Sequence, residues 1–402
     1  MAAEPLAQRL AVASRANVPP FHVMDLLAAA DARRRSHGDL VNLVAGQPST
    51  PAPRPVREAA HRALDTELLG YTVTTGIAEL REAICGHHAR THGIDVTPDQ
   101  VVVTTGSSGG FLLAFLSAFE AGDRVAIARP GYPCYRNVLA ALGCEVVELP
   151  AGPESRFQPT VAMLEELDRP VQGLVVASPA NPTGTMLAPE ELAALARWCE
   201  AHGVQLISDE IYHGITYDPA HAQASAWQWS REAVVFDSFS KYFSMTGWRI
   251  GWMLVPERLR RPVDVLTGNF TICPPALAQH AAVAAFAEES YAECDGHVAR
   301  YAENRRLLLS RLPELGLDRL APADGAFYVY ADIGHLTDDS MGFAHRLLAD
   351  TGVATTPGID FDTEAGHRFL RLSFAGSSDE IEEGLERLAG WLRSTLRPDH
   401  FP

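Results

Sequence analysis

Asp237-Ser-Phe-Ser-Lys241-Tyr-Phe-Ser-Met-Thr-Gly-Trp-Arg249 joins two apolar runs of a 402-residue chain and contains its single lysine. Every other cation among the 33 Lys plus Arg residues is arginine. Arginine matches the charge of lysine but cannot lose its proton and attack a carbonyl; lysine can, and so forms Schiff bases. A lone amine in an Arg-, Ala- and Gly-rich chain therefore points to chemistry rather than to charge. The same count excludes P-loop nucleotidases, whose GxxxxGK[ST] loop needs a lysine after its glycine.

The runs on either side, Ala233–Ser238 and Arg249–Val255, read as strands. Five more precede them: Val101–Thr105, Arg124–Ala128, Glu145–Leu149, Gly173–Ala177 and Gln205–Asp209. Segments with helical periodicity, such as Phe111–Phe119, Cys134–Leu142 and Glu190–His202, alternate with them. Strands that are apolar on both faces and alternate with helices predict an α/β fold with a mostly parallel seven-stranded sheet covered on both sides. After a long helical stretch, Pro275–Leu312, strands at Ala326–Ala331 and Phe369–Ala375 and helices at Ser340–Thr351 and Asp379–Leu396 predict a smaller α+β region. The expected division is a large domain over 49–286 and a small one over 287–402. Residues 1–48, with a helix around Val23–His37, form an arm and part of the small domain.

Open α/β sheets bind ligands at the carboxyl ends of their strands. Gly106-Ser107-Ser108-Gly-Gly follows the first strand and opens a helix, which suits an anion at the positive dipole end or an ordinary helix start. Asn181-Pro-Thr-Gly follows Gly173–Ala177 and also reads as a turn. Gln205–Asp209 ends in Asp209-Glu-Ile-Tyr212, whose first carboxylate suits a helix cap or a protonated ring nitrogen. Ser238, Ser240 and Lys241 follow the next strand. Arg249 suits a phosphate or a surface ion pair. Each feature is moderate alone; their succession at consecutive strand ends is specific.

The order Asn-Pro-Thr-Gly, Asp-Glu-Ile-Tyr, Ser-x-Ser-Lys, Gly-Trp-Arg-x-Gly resembles the fold-type I, class I/II aminotransferases, which use pyridoxal 5′-phosphate. The likeness runs from Leu43-Val-Ala-Gly46-Gln-Pro to Phe369-Leu-Arg371-Leu-Ser-Phe-Ala. It implies that Lys241 is the Schiff-base lysine and proton shuttle, and that Asp209 keeps the pyridine nitrogen protonated. Asn181 and Tyr212 would hydrogen-bond the ring's phenolic oxygen, and Tyr132 of Pro-Gly-Tyr-Pro-Cys-Tyr would stack on the ring. Gly106, Ser107, Ser108, Ser238, Ser240 and Arg249 would form the phosphate cup. Tyr71 resembles the tyrosine that reaches the neighbouring subunit's phosphate, which implies a homodimer. Arg371 would clamp the substrate α-carboxylate beside the backbone at Gly46.

The expected activity is ping-pong transfer of an amino group from an L-amino acid to a 2-oxo acid. Elimination, decarboxylation or cyclisation with the same cofactor is the alternative, since one fold hosts many chemistries. Members that take acidic substrates through a lysine in the Gly-rich turn differ here, where Ser108 stands. Phe21, Val23, Tyr132 and Tyr135 are candidates for a neutral or aromatic side-chain pocket, unless Arg9 or Arg15 folds over it. The acidic stretch Pro357-Gly-Ile-Asp360-Phe-Asp362 has no counterpart in this expectation.

The net charge of −17 disfavours nucleic acid and anionic membranes, and no basic helix-turn-helix precedes residue 40, which disfavours a ligand-sensing regulator. Runs such as Phe111–Leu116 are far too short to span a bilayer, and the amino-terminal residues lack a secretory apolar core. Six scattered cysteines without CxxC spacing read as free thiols of a cytoplasmic protein. His213 and His87-His88 lack metal-ligand spacing and read as ordinary histidines; no metal is expected.

Overall fold

The computed structural model describes residues 12–217 and 222–395. Its strands, in chain order, are β1 (Val41–Asn42), β2 (Val101–Thr104), β3 (Arg124–Arg129), β4 (Glu145–Pro150), β5 (Gly173–Ala177), β6 (Gln205–Asp209), β7 (Val234–Ser238), β8 (Gly251–Leu254), β9 (Tyr328–Asp332), β10 (Val353–Ala354), β11 (Thr356–Pro357) and β12 (Phe369–Ser373). The central sheet has seven strands in the order β2-β8-β7-β6-β5-β3-β4. All residues of β2, β6, β7 and β8 are buried, as helices on both faces require. Gly110, in the helix Gly106–Ala118, shows how closely one helix approaches: a Cβ there would stand 2.7 Å from the Phe236 ring of β7.

Six strands run parallel and β8 alone runs against its neighbours β2 and β7. The short link from β7 holds no crossover helix, which a parallel return would need. That reversal has a consequence for the site. The amino end of β8 lies at the same edge as the carboxyl ends of the other strands, so Arg249, just before β8, reaches that edge. The expected strand Arg249–Val255 is accordingly shorter, and Arg249 stands in a left-handed turn at φ 53°.

A three-stranded antiparallel sheet, β11-β12-β9, places Arg371 at the middle of its central strand, opposite Thr356 and Tyr330. The amino-terminal segment joins this region: β1 pairs in parallel with β10, Val41 opposite Val353. The helical stretch expected over Pro275–Leu312 is divided into Ala276–Ala282, a 3-10 turn at Val283–Phe286 and Glu288–Glu314. Ala287 is extended at the break, and Glu288 and Glu289 complement the positive end of the new helix.

The acidic stretch near residue 360 has a structural reason. Phe21 starts the helix His22–His37 without a side-chain cap of its own. Asp360 supplies one from across the fold, its carboxylate accepting from the backbone nitrogens of His22 (2.9 Å) and Val23 (2.6 Å). Asp362 pairs with Arg129 at 3.4 Å and accepts from the backbone nitrogens of Glu364 and Ala365. Replacing Asp360 by alanine is expected to cost about 1 kcal/mol of stability, the worth of a helix cap. Urea denaturation reads that loss. Because this helix also walls the active cavity, KM for amino donors is expected to rise several-fold with kcat little changed.

Candidate active site

The carboxyl ends of the parallel strands open onto a cavity of about 350 Å3. Its wall includes Gly46, Ser107, Ser108, Tyr132, Asn181, Asp209, Tyr212, Ser240, Lys241, Arg249 and Arg371, brought together from across the chain. Three candidates lie off the wall. Gly106 adjoins it, Ser238 is buried one layer behind, and Tyr71 is 84% exposed on the outer surface. The remaining lining is largely apolar, with Phe21, Val23, Met24 and Leu27 from the first helix and its cap.

Charge in the cavity is strongly unbalanced. Lys241, Arg249 and Arg371 face a single carboxylate, Asp209. Among the described residues, neither Arg249 nor Arg371 has a carboxylate partner. Unpaired guanidinium groups at a cavity wall are costly unless anions fill the space. The site is built for anionic ligands.

One anion cradle lies at the start of Gly106–Ala118. The Gly-Ser-Ser residues, expected as a turn before the helix, form its first turn, where backbone N–H groups lack intrahelical acceptors. Gly106 has φ 68°, and a Cβ on it would stand 2.6 Å from Arg249 Nη2. Only glycine lets the guanidinium lie against this backbone. Ser107, Ser108, Ser240 and Thr246 line the same end. Ser238 Oγ donates to Ser240 Oγ at 3.0 Å and supports it from behind.

The second cation is held rigidly. Arg371 donates to Asn181 Oδ1 at 2.8 Å, to the Val44 carbonyl at 2.8 Å and to Thr356 Oγ1 at 3.2 Å. Its guanidinium lies 4.4 Å from the Tyr328 ring centre and 4.9 Å from that of Phe361. With Oδ1 of Asn181 engaged, the donor side of that amide is free for a ligand. Tyr212 and Tyr328 share a hydroxyl contact of 2.7 Å.

Between the two anion sites, Lys241 Nζ donates to the Gly46 carbonyl at 2.5 Å. Burial, with the Arg371 and Arg249 charges, lowers its pKa to about 8 against the attraction of Asp209. A larger share of the amine is therefore neutral, and nucleophilic, near neutral pH. In cofactor-free protein, modification of Lys241 by an amine-selective reagent is expected to rise with pH through about 8, far below the ordinary lysine range. The absence of any other lysine makes peptide-resolved labelling clean; a midpoint above 10 would refute the depressed value.

Asp209 is 3% exposed, and burial raises its pKa to about 6 despite hydrogen bonds from the Tyr135 hydroxyl and the Ile211 backbone. A carboxylate held at this expense calls for a cation beside it. Tyr135 was expected as pocket wall alone; it lines the cavity, but its hydroxyl is committed to Asp209. Tyr328, Thr246 and Phe361 were not foreseen. They adjoin no motif, and only folding brings them to Tyr212, Ser240 and Arg371. Arg15 is exposed in a 3-10 turn away from the cavity wall, whereas Arg9 lies outside the described residues.

The sequence model of the family described as aminotransferase class I and II matches residues 38–388. The valine–pyruvate aminotransferase of Mycobacterium tuberculosis is 65% identical over 383 residues, covering 95% of this chain and 99% of that protein. A crystal structure of an aminotransferase from Mycobacterium tuberculosis superposes with a TM-score of 0.95 at 64% identity, over 96% of this chain and all of that one. The aspartate aminotransferase of Thermus thermophilus, solved with maleate, gives a TM-score of 0.89 at 34% identity, over 95% and 99% of the two chains. The chain belongs to the class I and II aminotransferases and is a transaminase, moving an amino group from an amino acid to a 2-oxo acid.

Proposed function

We propose that this transaminase uses pyridoxal 5′-phosphate and takes neutral, chiefly aliphatic, L-amino acids as donors. The observation that carries the reading is the cavity's arrangement: an anion cradle at one end, a rigid guanidinium at the other, and the only lysine between them. The donor set fits the cofactor. Gly106, Ser107, Ser108, Ser240 and Arg249, with Ser238 behind, would hold its phosphate. Asp209 would face the pyridine nitrogen as counter-charge, with Tyr135 fixing the carboxylate. Asn181 and Tyr212 would hydrogen-bond the ring oxygen, and Tyr132 would cover one face.

When bound, the cofactor supplies an electron sink for the substrate's α-carbon. Lys241 anchors it covalently, and once freed its amine takes the proton from the α-carbon and returns one during transfer. Arg371 binds the α-carboxylate and, being fixed by Asn181, Val44, Thr356 and two rings, sets the substrate's orientation. The apolar residues above exclude water and receive the side chain. Lyase, decarboxylase or cyclase chemistry has no observation in its favour beside the transaminase relatives.

Three features support the neutral pocket: the Phe21, Val23, Met24 and Leu27 wall, Ser108 at the turn position, and the valine–pyruvate activity named for the Mycobacterium tuberculosis relative. Pyruvate is thus the first 2-oxo acid acceptor to test. Half-reaction rates with a panel of donors decide the matter. Valine and other neutral donors are expected to lead; aspartate or glutamate leading every neutral donor by more than about a hundredfold, a margin that takes a charge contact, refutes the pocket.

We further propose a cytoplasmic homodimer, with domains divided near residues 48 and 286. No described helix is long and apolar enough to cross a membrane. Leu64, Leu68, Tyr71 and Val73 are exposed, as are Val265, Phe270 and Ile272, and the Thr72–Cys273 contact links these segments. A second copy over this patch would bury them and bring Tyr71 to its neighbour's phosphate. Tyr71→Phe is expected to weaken cofactor retention by about 1.5–3 kcal/mol, one hydrogen bond to a charged group. Fully active monomers in sedimentation would refute both claims.

A further inference from the structure

A second cluster of functional groups lies behind the cavity, on the other side of the segment that carries Asp209. Asp209, Ile211 and Tyr212 line the cavity, whereas Glu210 and His213 are not part of its wall. His213 stands instead against His92, the last residue of the helix Ala78–His92. Its Nδ1 is 3.2 Å from His92 Nε2 and 3.6 Å from Glu210 Oε2. One ligand atom from each of the three residues lies within 4.8 Å of the others. Donors at the corners of a zinc tetrahedron, with bonds of about 2.0–2.1 Å, stand about 3.3–3.4 Å apart.

Glu210 is already oriented as a ligand would be. Its Oε1 accepts from Ser208 Oγ at 2.9 Å and from the Ala226 nitrogen at 2.8 Å. Its Oε2, in a side chain only 1% exposed, has no hydrogen-bond partner. The neighbouring Nε2 of His213 also lacks one. A single proton between the two imidazoles would satisfy them and still leave Oε2 without a donor, an expensive arrangement in a buried site. Without a cation, burial pushes the Glu210 carboxyl up to about 8 and holds His92 down to about 4 and His213 well below the usual range. Both imidazoles are then neutral, the form that ligates metal. A small cavity of about 180 Å3, lined by His213, Gly214 and Thr91, opens beside the cluster and offers a path for an ion.

We propose that His92, Glu210 and His213 bind one divalent transition-metal ion of the zinc class, with water at the fourth position. The His2Glu donor set suits such an ion better than calcium or magnesium, which favour all-oxygen sites. It ties the end of one helix to the segment bearing Asp209 and Tyr212 and so acts as a structural staple, outside the reacting groups.

The test uses tag-free holoenzyme, stripped with a chelator and then equilibrated with cobalt(II) chloride at micromolar concentration. One cobalt per chain is expected, with the visible ligand-field bands of a four-coordinate ion, and zinc should displace it. Zinc should also raise the thermal unfolding midpoint by a few degrees, as binding to the native state alone requires. His92→Gln, at a helix end and only partly buried, and Glu210→Gln are each expected to weaken cobalt uptake at least tenfold with unchanged circular dichroism. Wild-type protein that takes up no cobalt at this concentration, or undiminished uptake by both variants, overturns the site. Metal uptake is read directly, so its outcome is independent of transaminase activity.

Discussion

Lys241→Ala is expected to lower transamination by roughly 10⁴–10⁶-fold, the scale seen when the central member of a catalytic unit is removed. The cofactor should still be retained, because the anion cradle at Gly106–Ser108 and Arg249 does not depend on the amine. Lys241→Arg should fail almost as badly. It keeps the charge, but a guanidinium cannot lose its proton near neutral pH and so can neither bond the cofactor nor take the α-proton. Borohydride reduction of the wild-type enzyme should fix one pyridoxyl group on the peptide containing Lys241. Labelling only at the amino terminus, or Lys241→Ala turning over within tenfold of wild type, would remove the lysine from its role.

Arg371→Leu should cost about 2–5 kcal/mol of transition-state binding, the loss expected when one partner of a desolvated charge pair is truncated. In kcat/KM that is roughly thirty- to several-thousand-fold, for the amino donor and the 2-oxo acid alike, since both present a carboxylate. Cofactor retention should be unchanged. Arg371→Lys should recover only part of the loss: a point charge cannot make two parallel hydrogen bonds, and Asn181, Val44 and Thr356 would compete for its three protons. Equal loss with a carboxylate-free amine donor would show that Arg371 serves the fold rather than the substrate. That control matters because Arg371→Leu also strips donors from three buried acceptors.

Much of this protein is legible in its sequence because the decisive chemistry is carried by contiguous residues. The strand positions follow from short apolar runs, and the fold class from their alternation with helices. Asn181, Asp209, Tyr212, Lys241 and Arg249 each stand just beyond a run or just before one, so local order alone marks them as residues of one sheet edge. Even the choice of Lys241 needed no structure, since an amine among arginines has a chemical meaning of its own.

What the sequence left undecided depends on contacts between distant segments. The antiparallel course of β8 follows from strand pairing, and it alone explains why a residue before a strand joins residues after strands. Tyr135 looks like pocket wall until β6 brings Asp209 to its hydroxyl. Asp360 looks like an unplaced acid until the helix at His22 presents unsatisfied N–H groups to it, 338 residues away in sequence. Likewise His92 and His213, 121 residues apart, have no ligand spacing in the chain and acquire one in space. Local motifs encode the chemical groups through side-chain identity; their partners, orientations and charge states are set by burial and long-range packing, which exist only once the chain has folded.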